Sequence, residues 1–316
     1  MTELVVTTGD PSGVGPEISL HAALCVPPPH RVTVVGDVAR LRADLEALAA
    51  GSGIDGAVRG VDDVELLNAG VVDRSIVARR GPSAEGGAAQ LAALDLGIEL
   101  VRERGGALVT GPMSKAAVEL SGTRFTGQTE HLARAAELAE NDVTMMFLGP
   151  RLKVALATTH VAIADLPGFL RPWHVKRAIR HLSDALVTLR VVSPVIAVCG
   201  LNPHASEGGL FGREEATVIA PAVEASRGRA ALLGPLGAET CMRWAHSGKV
   251  GGVVAMFHDQ ATIASKLLDW GEAVNVTWGL PFVRTSVDHG VAYDAVGHAD
   301  ASGMRAAMRM ALELAT

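Results

Sequence analysis

Aromatic residues are scarce: six Phe, four Trp and one Tyr make up 3% of 316 residues. The interior must therefore be built from Ala, Val and Leu, which suits helices packed closely on a parallel sheet. Cysteine is scarcer still. Cys25, Cys199 and Cys241 are odd in number, widely spaced and form no CxxC pair, which excludes a disulfide framework or thiolate metal site and reads as three small buried residues. No apolar run is long enough to span a bilayer, and Met1 leads straight into LVVTT with no basic segment or cleavage site; the expectation is a cytoplasmic chain with no membrane partner. Lys/Arg runs are also missing. With a formal charge of -6, a nucleic-acid-binding surface is excluded.

What remains is a mildly acidic chain, 48% hydrophobic, long enough for two lobes, with an α/β enzyme as the expected class. Leu4 to Thr8 reads as a buried strand running into GDPSGVGPEIS, where Gly9, Gly13 and Gly15 surround a turn before a helix opened by Pro16 and Glu17. Strand, glycine loop and helix form an anion-friendly arrangement, but the spacing matches neither GxGxxG nor the P-loop, and a tight crossover explains it equally well. RVTVVG (31–36) and an Asp-capped helix over 37–50 repeat the βα unit. A helix over 84–104 ends at Gly105-Gly106 and precedes the strand 107–110, which delivers GPMSK to its C-terminal end. Ser114 and Lys115 then fall in a first helical turn, where N-H groups meet anions. TGQTEH follows with Gln128, Thr129, Glu130 and His131, Thr129 standing where either a helix N-cap or a ligand donor belongs.

Three further apolar strands each end in a histidine: ALATTH in His160, VIAVCGLNPH in His204 and VVAMFH in His258. Strand ends of one parallel sheet converge on one edge, so three imidazoles in this position read as an open metal site with positions left for water and substrate. Nitrogen ligands favour Zn, Co, Ni or Fe over Mg, and zinc ranks first. Asp259 is the nearest carboxylate, as an added ligand, an imidazole-orienting partner or a general base; Lys115 is a weaker candidate base. The stretch from Phe257 to His289 also carries Lys266, Asn275, Arg284 and the pair Asp288-His289 in an apolar background. Charge and directed donors among apolar neighbours suit an anionic small molecule, a phosphate or carboxylate. Beyond Asp288, DHGVAYDAVGHADASG reads either as a loop holding an adenine or ribose, with Gly290 and Asp294 as its candidate contacts, or as a plain surface crossover before a helix over 303–314.

TTGDPSGVGPE, GPMSK, TGQTEH, ALATTH, CGLNPHASEGG, FHDQ and NVTWGLPFVRTSVDHG together resemble, almost from end to end, the PdxA family of vitamin B6 biosynthesis, the 4-hydroxythreonine-4-phosphate dehydrogenases. The resemblance implies the two-lobed isocitrate/isopropylmalate dehydrogenase-like fold with the active site in the interlobe cleft. One lobe is expected from 1–128 plus 282–316 on the cofactor side and the other from 129–281 on the metal and dimer side. It further implies NAD as cofactor, a divalent metal (zinc first, Co or Mg as alternatives) on His160, His204 and His258, and a homodimer with the site near the interface. The substrate contacts it implies are Lys266, Asn275, Arg284 and the loop Gly127 to Glu130. In that loop Gln128 replaces the family's usual histidine, and an amide donates a hydrogen bond but carries no charge. The implied reaction is NAD-linked oxidation of 4-phosphooxy-L-threonine to a β-keto acid that decarboxylates. Alternatives are a sister dehydrogenase of threonate or erythronate 4-phosphate or of a dihydrodiol carboxylate, a phosphate acyltransferase of the same fold, and a non-catalytic metabolite-binding regulator.

Overall fold

The computed structural model describes residues 1–50, 55–139, 142–192 and 194–316. Among them run eleven strands: β1 (Glu3–Thr7), β2 (Arg31–Gly36), β3 (Glu65–Asn68), β4 (Ala107–Thr110), β5 (Thr144–Leu148), β6 (Lys153–Leu156), β7 (Val195–Cys199), β8 (Ala231–Leu236), β9 (Gly252–Ala255), β10 (Val274–Trp278) and β11 (Val283–Ser286). The chain divides into two compact units, Met1–Glu140 with Leu280–Thr316, and Asn141–Gly279. The 51–54 part of the expected Gly- and Asp-rich connection lies outside the described residues.

The first unit orders its strands β3-β2-β1-β4-β11, every neighbouring pair parallel. β1, β2 and β4 are apolar along almost their whole length because helices cover both faces. The long helix Ala84–Arg104 is capped by Ser83, whose hydroxyl accepts from the Gly86 amide at 3.0 Å. It packs Leu94, Ile98 and Val101 onto Val5, Val35 and Leu108, each buried side chain contributing roughly 1.5–3 kcal/mol. Gly97 lets it approach: a Cβ there would run into Thr7. Close approach replaces bulk in a chain with so few aromatic rings.

The second unit orders its strands β10-β5-β6-β9-β7-β8. Here the expected parallel sheet is mixed: β10 and β6 both run antiparallel to β5, since β5 and β6 are joined by the tight Gly149-Pro150 turn. β6, β9, β7 and β8 are parallel to one another. The register of β7 against β8 shifts between Ala197 and Cys199, an irregularity just before the His204 loop. Phe147, Val154, Leu156, Ala197, Val253 and Ala255 form the core with Cys199 and Cys241; both cysteines are fully buried.

Candidate functional site

Each unit assembles its own constellation at strand ends. In the first, Arg284 on β11 is 2% exposed. One guanidinium nitrogen donates to Thr110 Oγ1 at 2.7 Å and to Gln128 Oε1 at 2.5 Å. The Thr110 hydroxyl in turn donates to Gln128 Oε1 at 2.6 Å, and Gln128 Nε2 donates to the Gly111 carbonyl at 3.1 Å. Gln128 thus spends both ends of its amide inside the protein. Burial pushes the Arg284 pKa down to about 10, opposed by the charge of Glu130, so the group stays cationic at neutral pH. A buried, hydrogen-bonded guanidinium of this kind has the chemistry to hold an anion.

Gln128 and Thr129 open the helix Gln128–Ala135. Its N-cap is Gly127, not Thr129, and the Glu130 carboxylate folds back against position 127. Lys115 is the exposed first residue of Lys115–Leu120, where Ser114 accepts from Ala117 N at 3.2 Å as the N-cap.

The glycine segments of this unit meet at a residue that the sequence pattern did not single out. Asp10, 1% exposed, accepts from Tyr293 Oη at 2.8 Å, from Ser12 N at 2.9 Å and from Gln90 Nε2 at 3.4 Å. Gln90 Oε1 then accepts from Ser114 N at 2.8 Å. Burial raises the Asp10 carboxyl pKa and pushes the Tyr293 phenol up to about 12. The 290–297 loop is pinned twice more, Val14 N donating to Val291 O at 3.1 Å and Gly297 N to Glu17 Oε2 at 2.8 Å. Gly290 faces open space, and Asp294 is exposed on the short turn Tyr293–Ala295. Open backbone beside an exposed carboxylate on a fixed loop fits a ribose-bearing cofactor.

In the second unit the three histidine-bearing strands, β6, β9 and β7, lie side by side. His160 and His258 come together with ring centroids 5.5 Å apart. His258 opens the helix His258–Leu268, and its Nδ1 meets Asp259 Oδ1 at 2.8 Å. A carboxylate there accepts from an Nδ1-H, the tautomer that leaves Nε2 for a ligand. Among the described residues no three His, Cys, Asp or Glu side chains converge closely enough to hold a metal ion, so this pair is not completed to a three-ligand set by His204. It sits in Pro203–Gly209, where His204, Ala205, Ser206, Glu207 and Gly208 all have positive φ, from 45° to 69°. Four consecutive residues with side chains in the left-handed region store strain, roughly 1–2 kcal/mol each. The stretch is held from behind by Glu215, 4% exposed, whose Oε1 accepts from Leu201 N at 2.8 Å and Asn202 N at 2.7 Å.

Lys266 is half-buried on the His258–Leu268 helix. Asn275 projects from β10 with its Oδ1 buried and, among the described residues, without a hydrogen-bond partner. The donor set fits a divalent metal in its chemistry: uncharged nitrogen ligands, an Asp-oriented imidazole and a second imidazole beside it.

A family profile described as "Pyridoxal phosphate biosynthetic protein PdxA" matches residues 29–314. The chain is similar to the 4-hydroxythreonine-4-phosphate dehydrogenase of Geobacter metallireducens, 41% identical over 99% of this chain and 95% of the relative. It is also similar to the D-threonate 4-phosphate dehydrogenase of Cupriavidus necator, 37% identical over 98% of this chain and 96% of the relative. Among solved structures, the 4-hydroxythreonine-4-phosphate dehydrogenase of Klebsiella pneumoniae superposes with a TM-score of 0.82 at 32% identity, covering 99% of this chain and 98% of that one. Isocitrate dehydrogenase from Methylococcus capsulatus shares the fold at 13% identity and a TM-score of 0.51, covering 99% of this chain and 85% of that one.

Proposed function

The chain belongs to the PdxA family of dehydrogenases, and from that premise we propose that it oxidises 4-phosphooxy-L-threonine with NAD in pyridoxal 5'-phosphate biosynthesis. The substrate's secondary alcohol loses a hydride to NAD and a proton to the protein or solvent, giving 2-amino-3-oxo-4-phosphooxybutanoate. This β-keto acid then loses CO2 to yield 3-amino-2-oxopropyl phosphate. The observation that carries the reading is the buried Arg284 cation, hydrogen-bonded into place by Thr110 and Gln128, which suits a dianionic phosphate far better than a neutral group.

In this reading Lys266, Asn275 and Thr129 complete the substrate contacts, and the buried Asn275 Oδ1 accepts from a substrate donor. Gln128 acts through Arg284, since both ends of its amide are engaged within the protein. A divalent metal, zinc first, held by His160, His204 and His258, would supply Lewis acidity for oxidation and decarboxylation. Asp259 holds the His258 ring from an exposed position, which suits an orienting role better than that of general base. Gly290 and Asp294 take the cofactor ribose, on the loop fixed by Asp10 and Glu17. The first unit is the cofactor side, and the second is the metal and dimer side.

A homodimer formed through the second unit is supported by the helix that carries His258. Ile263 and Leu267, one turn apart on that helix, and Trp270, just beyond its end, are 60%, 80% and 81% exposed, apolar surface of the kind a partner subunit covers. Among the described residues no helix is long and apolar enough to cross a membrane.

A second reading, oxidation of threonate 4-phosphate, is favoured by Gln128 in place of histidine and by the Cupriavidus necator relative. NADH formation with zinc present separates the two. Turnover of 4-phosphooxy-L-threonine well above that of threonate 4-phosphate is the expected result. The reverse preference would move the chain to the sister activity, and no turnover of either phosphate ester would overturn both.

A further inference from the structure

Three backbone segments carry His160, His204 and His258; one side-chain amide joins two of them, and a backbone carbonyl joins the third. Gln260, the third residue of the His258–Leu268 helix, turns back so that its Oε1 accepts from Met256 N at 2.7 Å while its Nε2 donates to the Gly200 carbonyl at 3.0 Å. Gly200 is four residues before His204, at the base of the left-handed stretch. Met256 is two residues before His258. The Met256 carbonyl takes the third segment, accepting from the Thr158 hydroxyl at 2.6 Å and from Thr158 N at 3.2 Å; Thr158 is two residues before His160. Met256 is fully buried and Thr158 is 3% exposed, so water does not compete for these bonds.

We propose that Gln260, with Thr158, is a positioning residue for the metal: a hydrogen-bond relay from Gly200 through Gln260 and Met256 to Thr158 sets the spacing of the segments that bear His204, His258 and His160. The inference rests on the metal reading of those three histidines. Only a side chain with a donor and an acceptor at one end can make both Gln260 contacts, and among side chains of this length the amide alone does so without charge. Gln260 touches none of the histidines directly. It acts by limiting where the strained His204 loop can sit against the start of the His258 helix, as hydrogen bonds outside a metal's own ligands commonly do.

The test is Zn2+ affinity of the full chain after chelation, measured by competition with a chromogenic chelator, with the visible spectrum of the Co2+ form as a report on coordination geometry. Gln260→Leu is expected to weaken Zn2+ binding about 10- to 100-fold and to alter the Co2+ spectrum, with far-UV circular dichroism unchanged. Gln260→Glu separates positioning from simple support of the helix start. A carboxylate still accepts from Met256 N but has no proton for the Gly200 carbonyl, so Q260E should bind zinc as weakly as Q260L. Wild-type affinity and spectrum in Q260E would overturn the relay and leave Gln260 as a local helix support. Thr158→Val removes the shorter, hydroxyl bond of the other arm and keeps the reading testable if the Gln260 variants do not fold. Weakened binding supports the relay, and binding within twofold of wild type overturns it. A wild-type chain without zinc affinity would overturn the metal reading and this inference together, whereas a zinc-binding wild type with unaltered variants overturns this inference alone.

Discussion

The Arg284 constellation and the histidine constellation both stand at strand ends, but they are built on opposite principles. Arg284 lies on a strand, is almost wholly buried, and is braced by Thr110 and Gln128 through bonds of 2.5–2.7 Å. His204 lies exposed on a loop with five successive positive φ values, and His160 is likewise exposed. A phosphate anchor needs to be rigid and dry, because each bond to it strengthens as water is excluded. The proposed metal site would need open coordination positions, which matches exposed histidines whose segments are held by hydrogen bonds from Asp259, Glu215 and Gln260. Arg284 is fixed by the fold; His204 is held by a strained loop and its braces.

His204→Ala is expected to have the largest effect. Removing one ligand forfeits several kcal/mol of charge stabilisation, lowering kcat by on the order of 10³-fold, while the melting temperature of the metal-free protein stays unchanged. Retained turnover with bound metal would break the comparison on the histidine side. Arg284→Met comes next. Loss of a charged hydrogen-bonding partner should cut kcat/KM for a phosphorylated substrate about 10²-fold, mainly through KM, and much less for a non-phosphorylated analogue. Equal losses on the two substrates would mean that Arg284 does not read the phosphate.

A third test uses histidines that belong to the core. Burial, with Arg177 and a neighbouring arginine adding to it, holds the His174 and His181 pKa values down to about 4. The unfolded value is about 6.5, so the unfolded chain binds protons first. The stability these groups confer is complete above pH about 6.5 and is lost as pH falls toward 4, by about 2 kcal/mol for each. Urea unfolding at pH 7 and pH 4.5, with chelator present so that metal loss does not contribute, reads this directly. A flat profile would show that these two are not held neutral. The smallest effect is expected from Glu207→Gly, which removes a side chain from the left-handed stretch without touching a histidine. Relief of strain outweighs the added chain entropy and should stabilise the metal-free protein by up to about 1 kcal/mol, seen as a higher urea midpoint; a lower midpoint would mean that the loop stores no strain at that residue.

How much of this was legible in the sequence depended on how local the cause was. Strands ending in His160, His204 and His258 were readable because an apolar run and its exit are contiguous in the chain, and β6, β9 and β7 lie adjacent and parallel as that pattern required. The hairpin of β5 and β6 was readable from its Gly149-Pro150 turn, and the two strands pair antiparallel as that turn requires; the antiparallel pairing of β10 with β5 was not, since their partners lie more than 120 residues apart in the chain. Gln128 stood out as a departure from the family pattern, yet its bonds to Thr110 and Arg284, 18 and 156 residues away, have no local signature. Asp10 escaped for the same reason. Its partners Gln90 and Tyr293 are 80 and 283 residues distant, and GDPSG drew attention to its glycines instead. His204 was found by its place after a strand, but the left-handed path of the loop that carries it was not, because Ala205, Ser206 and Glu207 have no preference for that conformation.

The most direct measurement is a zinc titration of the chelated protein, following bound metal per chain and NADH formation from 4-phosphooxy-L-threonine in the same samples. The expected result is no turnover before zinc is added and a linear recovery that saturates at one zinc per chain. Full turnover in the chelated, metal-free protein would contradict the assignment of His160, His204 and His258 to a metal that the reaction requires.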